Sequence, residues 1–304
     1  MILILGPTTD SILTFFLRFL KQRGYPYLFL DQEEMLRSWS LSGNEKGGWT
    51  LHYKGKKYPI ESFSGIYMRL SGVSDKHPIH FKKAQQWLVQ FLDLVPIPVV
   101  NRPQAMGSNY SKPYQLQIIK QFLPTPRSLV SNNPEKIEAF CRQYPECIFK
   151  SVSSERSIVQ PLALFWKERQ KYLETSPILV QPKLKGPNVR VHVIGEQTFA
   201  LRIESESIDY RYAKKYGKKC FTQEVLLSKD LHQRCVALAK ELGLSFAGID
   251  LIYDGPESLY CLEANPSPGY VFFEDDENMR ITNALANYLM DQKSLNQSQQ
   301  TMSA

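Results

Sequence analysis

Glu263 and Asn265 stand two residues apart in the apolar run YCLEANPSPGY, and Asp250 lies in a second apolar run, FAGIDLIYD. If the turn between two strands is GPES, residues 255–258, Asp254 opposes Leu259 and counting outward brings Asp250 opposite Glu263. Directly opposed residues of an antiparallel pair share a face, and side chains repeat with period two. Asp250, Glu263 and Asn265 would then project together. Two facing carboxylates repel, and a hard divalent cation removes that cost; Asp, Glu and Asn oxygens are ligands that magnesium accepts. A slip of one residue would carry Asp250 to the other face. Both acids could equally pair with some of the 37 basic residues.

Magnesium held by a few carboxylates usually shares its coordination with nucleotide phosphates. The two commonest phosphate cradles, GxxxxGK followed by Ser or Thr and GxGxxG, are absent. Cations on separate elements remain. Lys150 ends the apolar strand CIFK, where an unpaired ammonium is costly to bury. A waiting anion accounts for it, as would a side chain that snorkels to water. Lys112 stands near the start of the helix SKPYQLQIIKQF, and Arg190 and Arg202 lie on strands. Arg69 is near the carboxyl end of the strand SGIYMRLSG. Ligands of open α/β sheets sit beyond that end, which makes Arg69 a candidate substrate contact, and the strand arginine Arg202 is taken as a second. An ordinary surface arginine fits the Arg69 segment almost as well.

These groups need elements to position them. MILILG and YPYLFLDQ read as strands around a helix capped by Thr9 or Asp10. WTLHYKGKKYPI alternates about a Lys-Gly turn as a hairpin does, and FKKAQQWLVQFLDLV is helical. Strands interleaved with helices imply an open α/β domain over residues 1–100. Further on, PEKIEAFCRQY is a helix, PILVQPKL a strand, and NVRVHVIGEQTFALRIE two strands about Gly195. KDLHQRCVALAKELGL is a helix stopped near Gly243, FAGIDLIYD and LYCLEAN form a hairpin, and ENMRITNALANYLMDQ closes the fold. The polar tail KSLNQSQQTMSA is expected to be disordered.

With 304 residues the chain should fold as two or three subdomains, and its 43% hydrophobic and 22% charged residues are those of a soluble globular protein. No apolar run reaches membrane-spanning length. The N-terminal segment reads as strand, turn and helix rather than a signal peptide. Five scattered cysteines without a CxxC pair suggest a reduced, cytoplasmic protein without a zinc framework. A net charge of +7 suits an anionic cofactor or an acidic substrate. The basic run KKYGKK has no RNA-binding aromatic motif or zinc finger beside it, so nucleic acid is disfavoured.

In this order, the segments SKPYQLQIIKQF, CIFKSV, ILVQPKL, NVRVHVIG, FAGIDLIYD and CLEANPSPG resemble the ATP-grasp superfamily, in particular its RimK-like and glutathione-synthetase-like ligases. The resemblance implies a mixed α/β and α+β fold: a Rossmann-like domain over 1–100, ATP-grasp subdomains over 101–185 and 186–292, and a tail over 293–304. It implies ATP and magnesium as cofactors, with Asp250, Glu263 and Asn265 as metal ligands. Lys112 and Lys150 would contact the nucleotide, and Gln181, Pro182, Lys183 and Leu184 would form the hinge at the adenine edge. Arg190 would lie near the reacting phosphate, joined by Arg211 from IDYR.

The implied chemistry activates a carboxylate as an acyl phosphate that an amine then displaces. A small-molecule or peptide substrate with a carboxylate is therefore expected, and a homo-oligomer is allowed. Three features depart from the family pattern. The phosphate loop SVSSERSIV, with Ser153, Ser154 and Arg156, has no glycine; Pro182 and Lys183 stand where a ribose-binding glutamate is common; and Asn188 replaces the aspartate of a D-x-R motif. The glycine-free loop keeps open a nucleotide-binding regulator without turnover. GIYMRLSG, KSVSSERSIV and IDYR are also similar to ATP-grasp maturases that crosslink precursor peptides.

Overall fold

The computed structural model describes residues 1–35, 37–44, 48–75, 77–144, 146–152, 159–206, 217–255, 258–274 and 278–302. In chain order the elements begin β1 (Ile2–Gly6), α1 (Ser11–Arg23), β2 (Tyr27–Asp31), β3 (Trp39–Gly43), β4 (Trp49–Tyr53), β5 (Lys56–Pro59), β6 (Gly65–Met68), α2 (Ile79–Leu94) and β7 (Val99–Val100). There follow α3 (Pro103–Met106), α4 (Lys112–Ile119), β8 (Leu129–Ser131), α5 (Pro134–Gln143), β9 (Cys147–Ser151), β10 (Gln160–Pro161), α6 (Leu162–Arg169) and β11 (Ile178–Pro182). The last are β12 (Asn188–Ile194), β13 (Gln197–Ser205), β14 (Cys220–Val225), α7 (Lys229–Glu241), β15 (Phe246–Tyr253), β16 (Leu259–Asn265) and α8 (Arg280–Met302). No described helix is long and apolar enough to cross a membrane.

Two compact units emerge. The first combines residues 1–106, 243–246 and 269–304; the second combines 107–242 and 247–268. The closing helix, expected with the C-terminal subdomain, thus belongs with the N-terminal sheet, where Leu289 packs under Gly65. Residues 101–185 and 186–292, read as separate subdomains, fall largely within one unit.

In the first unit a parallel sheet has the order β2-β1-β6-β7, and β3-β4-β5 form a separate antiparallel meander. The buried stretch Ile2–Gly6 reads as a continuous apolar run, as a strand covered on both faces must. Asp10 caps α1, its Oδ1 accepting from the backbone N–H groups of Ile12 and Leu13 at 2.9 and 2.8 Å, and Gly24 ends the helix at φ 72°. The same carboxylate receives Arg69 Nε at 3.1 Å. Burial opposes the Arg69 charge, but neighbouring Tyr67 and Asp10 more than offset it, so its pKa ends above the ordinary value. Arg102 donates to the carbonyls of Leu92, Asp93, Val95 and Ile97 at 2.9–3.0 Å and so closes the open end of α2.

The β3 strand was not foreseen, although the β4–β5 hairpin was. Along the polar tail α8 runs on to Met302. KSLNQSQQT holds neither Pro nor Gly, and three of its nine residues are Gln.

Buried Asn101 ties the end of β7 to the start of β15, donating from Nδ2 to Phe246 O at 2.6 Å and accepting from Phe246 N–H at 3.0 Å. Asn101→Ala leaves both backbone groups unsatisfied and should cost about 2–4 kcal/mol. A lowered melting temperature with unchanged far-ultraviolet circular dichroism is the expected result.

Candidate functional site

The second unit contains two sheets, β10-β9-β11-β8 and β14-β13-β12-β15-β16. In the second sheet Asp250 lies directly opposite Glu263, and Gly248 opposite Asn265, so the three expected oxygen donors do share a face. The route to that register differs from the simple count. Tyr253, not Asp254, pairs with Leu259, and the pairing shifts between Asp250 and Leu251 so that Leu262 becomes an extra residue. A loop one residue longer and a β-bulge cancel each other.

Each carboxylate meets a cation from another element. Asp250 Oδ2 lies 2.7 Å from Arg190 Nη1 of β12, and both side chains are largely buried. Glu263 Oε2 lies 3.7 Å from Lys112 Nζ at the start of α4. The two alternatives for the acids, ion pairing and metal binding, therefore meet in one place: both are paired, and both face the same way. The donor set fits magnesium. Two carboxylates and an amide share the face, and the amide Oδ1 of Asn265 also accepts from Ser267 N–H at 2.9 Å. Among the described residues no group of three or more His, Cys, Asp or Glu is arranged as a metal site.

Three further residues, invisible to the sequence reading, make this arrangement possible. Gly248 of the AGID segment admits the guanidinium: a Cβ there would fall 2.2 Å from Arg190 Nη2 and 2.8 Å from Pro268 Cβ. Gln115 is buried on α4 and clamps the backbone of Ala264, donating to its carbonyl at 2.8 Å and accepting from its N–H at 3.0 Å. That clamp sets Lys112, one turn earlier, against Glu263. His192, fully buried, accepts from Arg190 Nε at 3.5 Å. Only the glycine had a signal, since a glycine inside an apolar strand often marks a close approach.

Lys150 and Gln181 occupy the face of β9 and β11 away from the apolar cluster of Phe149, Val180 and Ile178. They line a cavity of about 290 Å³ with Pro182, Lys183, Leu184 and Asn188. Gln181 donates from Nε2 to Ser128 Oγ at 2.9 Å, which leaves its buried Oε1 without a donor among the described residues. Three contacts hold the hinge. Lys183 N–H donates to Glu146 O at 2.6 Å, Lys185 Nζ reaches Glu146 Oε1 at 2.8 Å, and Gly186 packs against the Tyr253 carbonyl so closely that a Cβ would fall 1.9 Å from it.

Not every candidate joins the group. Arg202 pairs with Val189, whereas Arg190 pairs with Leu201, so the two arginines point to opposite faces. Arg202 is exposed and bound to Glu204 at 2.9 Å. Its expected substrate contact is not brought to the site, because strand periodicity places neighbours on alternate faces. Arg69 belongs to the first unit and is engaged by Asp10 there. Ser153, Ser154, Arg156 and Arg211 lie outside the described residues. Burial pushes the thiols of Cys147 and Cys235 up to about 12 and that of Cys261 well above its ordinary value, and it raises Cys141 and Cys220 as well.

With this geometry in view, comparison with known proteins is informative. A family model described as the RimK-like ATP-grasp domain matches residues 108–289. A probable alpha-L-glutamate ligase of Shewanella loihica is 25% identical over 183 residues, covering 56% of this chain and 60% of the relative. The chain thus matches less than two thirds of that relative's length. The ATP-grasp ligase PsnB, complexed with a minimal precursor, superposes with a TM-score of 0.80 at 26% identity, covering 96% of this chain and 98% of PsnB. A PsnB complex with a phosphomimetic precursor variant, magnesium and ADP also gives 0.80, at 25% identity over the same shares. The macrocyclase MdnC of Microcystis aeruginosa, bound to its precursor peptide, shares the fold with a TM-score of 0.77 and 19% identity, over 96% of this chain and 99% of that one.

Two substitutions separate support from chemistry. Gly248→Ala should drive Arg190 off Asp250 and cost about 3 kcal/mol or more, the scale for breaking a buried ion pair. Gln115→Ala should cost about 2 kcal/mol through the orphaned Ala264 backbone. Thermal melting checks both, and a Gly248→Ala protein as stable as wild type would contradict the close approach.

Proposed function

The chain belongs to the RimK-like ATP-grasp family, and on that premise we propose that it is an ATP- and magnesium-dependent ligase joining a carboxylate to an amine on a peptide substrate. The observation that carries this reading is the direct opposition of Asp250 and Glu263, each with its own cation, on a sheet face that also contributes Asn188 and Ile252 to the cavity of Lys150 and Gln181. A peptide is preferred over a free amino acid because PsnB, alike over nearly the whole chain, is complexed with a precursor.

The residues divide the work. The adenine edge needs backbone donors and acceptors from the hinge. Pro182 has no N–H and that of Lys183 is spent on Glu146, which leaves Leu184 to donate and the orphaned Gln181 Oε1 to accept from an exocyclic amine. Lys150 meets the phosphate nearest the base, and Lys112, beside the Val152 carbonyl that opens the phosphate loop, meets the far phosphates. Asp250, Glu263 and Asn265 would hold magnesium, which supplies charge neutralisation to the phosphates when bound. Arg190, fixed by Asp250 and His192, faces the charge that grows on the transferring phosphoryl group.

In the proposed reaction the substrate carboxylate attacks the terminal phosphorus of ATP and ADP leaves. The amine then attacks the acyl carbon, loses a proton and expels phosphate. No protein nucleophile is required, consistent with the protonated thiols. Positioning and charge neutralisation supply the rate.

Release of ADP and phosphate is the assay, with magnesium, ATP and acidic peptides as substrate pool. Turnover should require both peptide and magnesium and should fall about a hundredfold or more in Arg190→Met. Peptide-independent binding of ATP without any ADP release across the pool would instead favour a nucleotide-binding regulator.

A further inference from the structure

The meander of the first unit carries a feature that the nucleotide site does not use. At the turn end of β3, β4 and β5 lies a groove of about 240 Å³ whose lining includes Arg37, Lys54, Lys56, Lys57 and His52 and, among the described residues, no carboxylate. Ser40, His52 and Lys57 are paired in register across the three strands and so share one face, turned away from the core residues Trp39, Leu41 and Leu51. Among the described residues none of Arg37, Lys54, Lys56 and Lys57 makes an ion pair. The nearest acid on the same segment, Glu34, is turned onto the Ser38 hydroxyl at 2.9 Å.

Lysines on an edge strand commonly serve only to block pairing with another chain. That explains Lys56 and Lys57 but not Lys54. Lys54 and Gly55 form a two-residue hairpin turn with φ values of 47° and 73°. Such a turn strongly favours Asn-Gly or Asp-Gly, because a side chain in the left-handed region is strained. The Lys54 Nζ lies over the Tyr53 ring at 5.1 Å and is otherwise exposed at the mouth of a groove lined by cations, so a lysine in this strained position points to a use for its charge.

We propose that this groove docks an acidic segment of the peptide substrate, remote in sequence from the residues assigned to nucleotide. The proposal rests on the peptide-substrate reading above. A peptide fits better than a nucleic acid because nucleic-acid grooves pair cations with exposed aromatic platforms, whereas Trp39 here is buried in the core and Tyr53 is half-buried with Lys54 Nζ 5.1 Å from its ring centroid. The outer strand β5 offers an open edge along which an extended peptide can also pair through its backbone.

The test is fluorescence anisotropy of a fluorescein-labelled octaglutamate peptide on the full chain, repeated with an oligothymidylate of equal charge. Wild type should bind the peptide, more weakly as salt rises. Lys54→Asn should melt higher than wild type, since Asn tolerates the left-handed turn, yet bind the peptide less well. Lys54→Asn/Lys57→Gln should lose about tenfold in affinity, the sum of two exposed charge contacts. Absence of peptide binding, equal binding by the double variant, or tighter binding of the oligothymidylate through the same lysines would overturn the proposal. Stabilisation by magnesium and an ATP analogue, read on the same proteins, should be equal in all three. Its absence from all three would sink the ligase reading, while the peptide measurement still judges the groove by itself.

Discussion

Two carboxylates forced opposite each other on a sheet are the constraint around which the second unit is arranged. Asp250 and Glu263 cannot share that face at low cost unless positive charge is brought to them. Arg190 comes from β12 and Lys112 from α4, and each needs its own support. Gly248 lacks a side chain so that the guanidinium can lie over the strand, and His192 contacts its Nε. Gln115 binds α4 to the Ala264 backbone, which fixes Lys112 one turn away. Buried ion pairs seldom stabilise a fold more than apolar residues of the same volume would. On the proposed function they serve a ligand, because oxygen donors flanked by cations are what a metal bound to nucleotide phosphates needs.

The acidic hairpin was legible in the sequence because side-chain alternation puts Glu263 and Asn265 on one face whatever the register. Its register came out as expected only because a longer loop and the extra residue Leu262 offset each other. No local pattern announces such a bulge. Lys150 was legible from the cost of burying an ammonium at the end of an apolar strand, and it does line the cavity. Arg202 shows the opposite case. It lies on the strand next to Arg190 and has the same residue type, but its parity turns it to the other face, beside Glu204. Gln115 and His192 were illegible because their function is a contact between segments distant in sequence. The same holds for α8, whose membership in the first unit depends on packing rather than on any property of its own residues.

Arg69 illustrates how position and pairing must be read together. Its place beyond the carboxyl end of β6 suggested a ligand contact, and the structure finds it bound to the carboxylate that caps α1. Asp10 therefore serves two partners, and the arginine is held in one orientation by a group that also starts a helix. The N-terminal unit thus builds its polar contacts chiefly for its own order, with Arg102 closing α2 and Asn101 anchoring Phe246. The basic end of the meander stands apart, because among the described residues its cations make no ion pair.

Whether Asp250 and Glu263 exist to hold a metal and nucleotide, or only to pair with Arg190 and Lys112, is decided most directly by calorimetric titration of a non-hydrolysable ATP analogue. The titration is made with and without magnesium, on wild type and on Glu263→Gln, which keeps the shape and removes one charge. Magnesium-dependent binding by wild type, lost or weakened at least tenfold in the folded variant, is the predicted outcome. Equal, magnesium-independent binding by both proteins, or none by either, would reduce the hairpin to a structural ion-pair network.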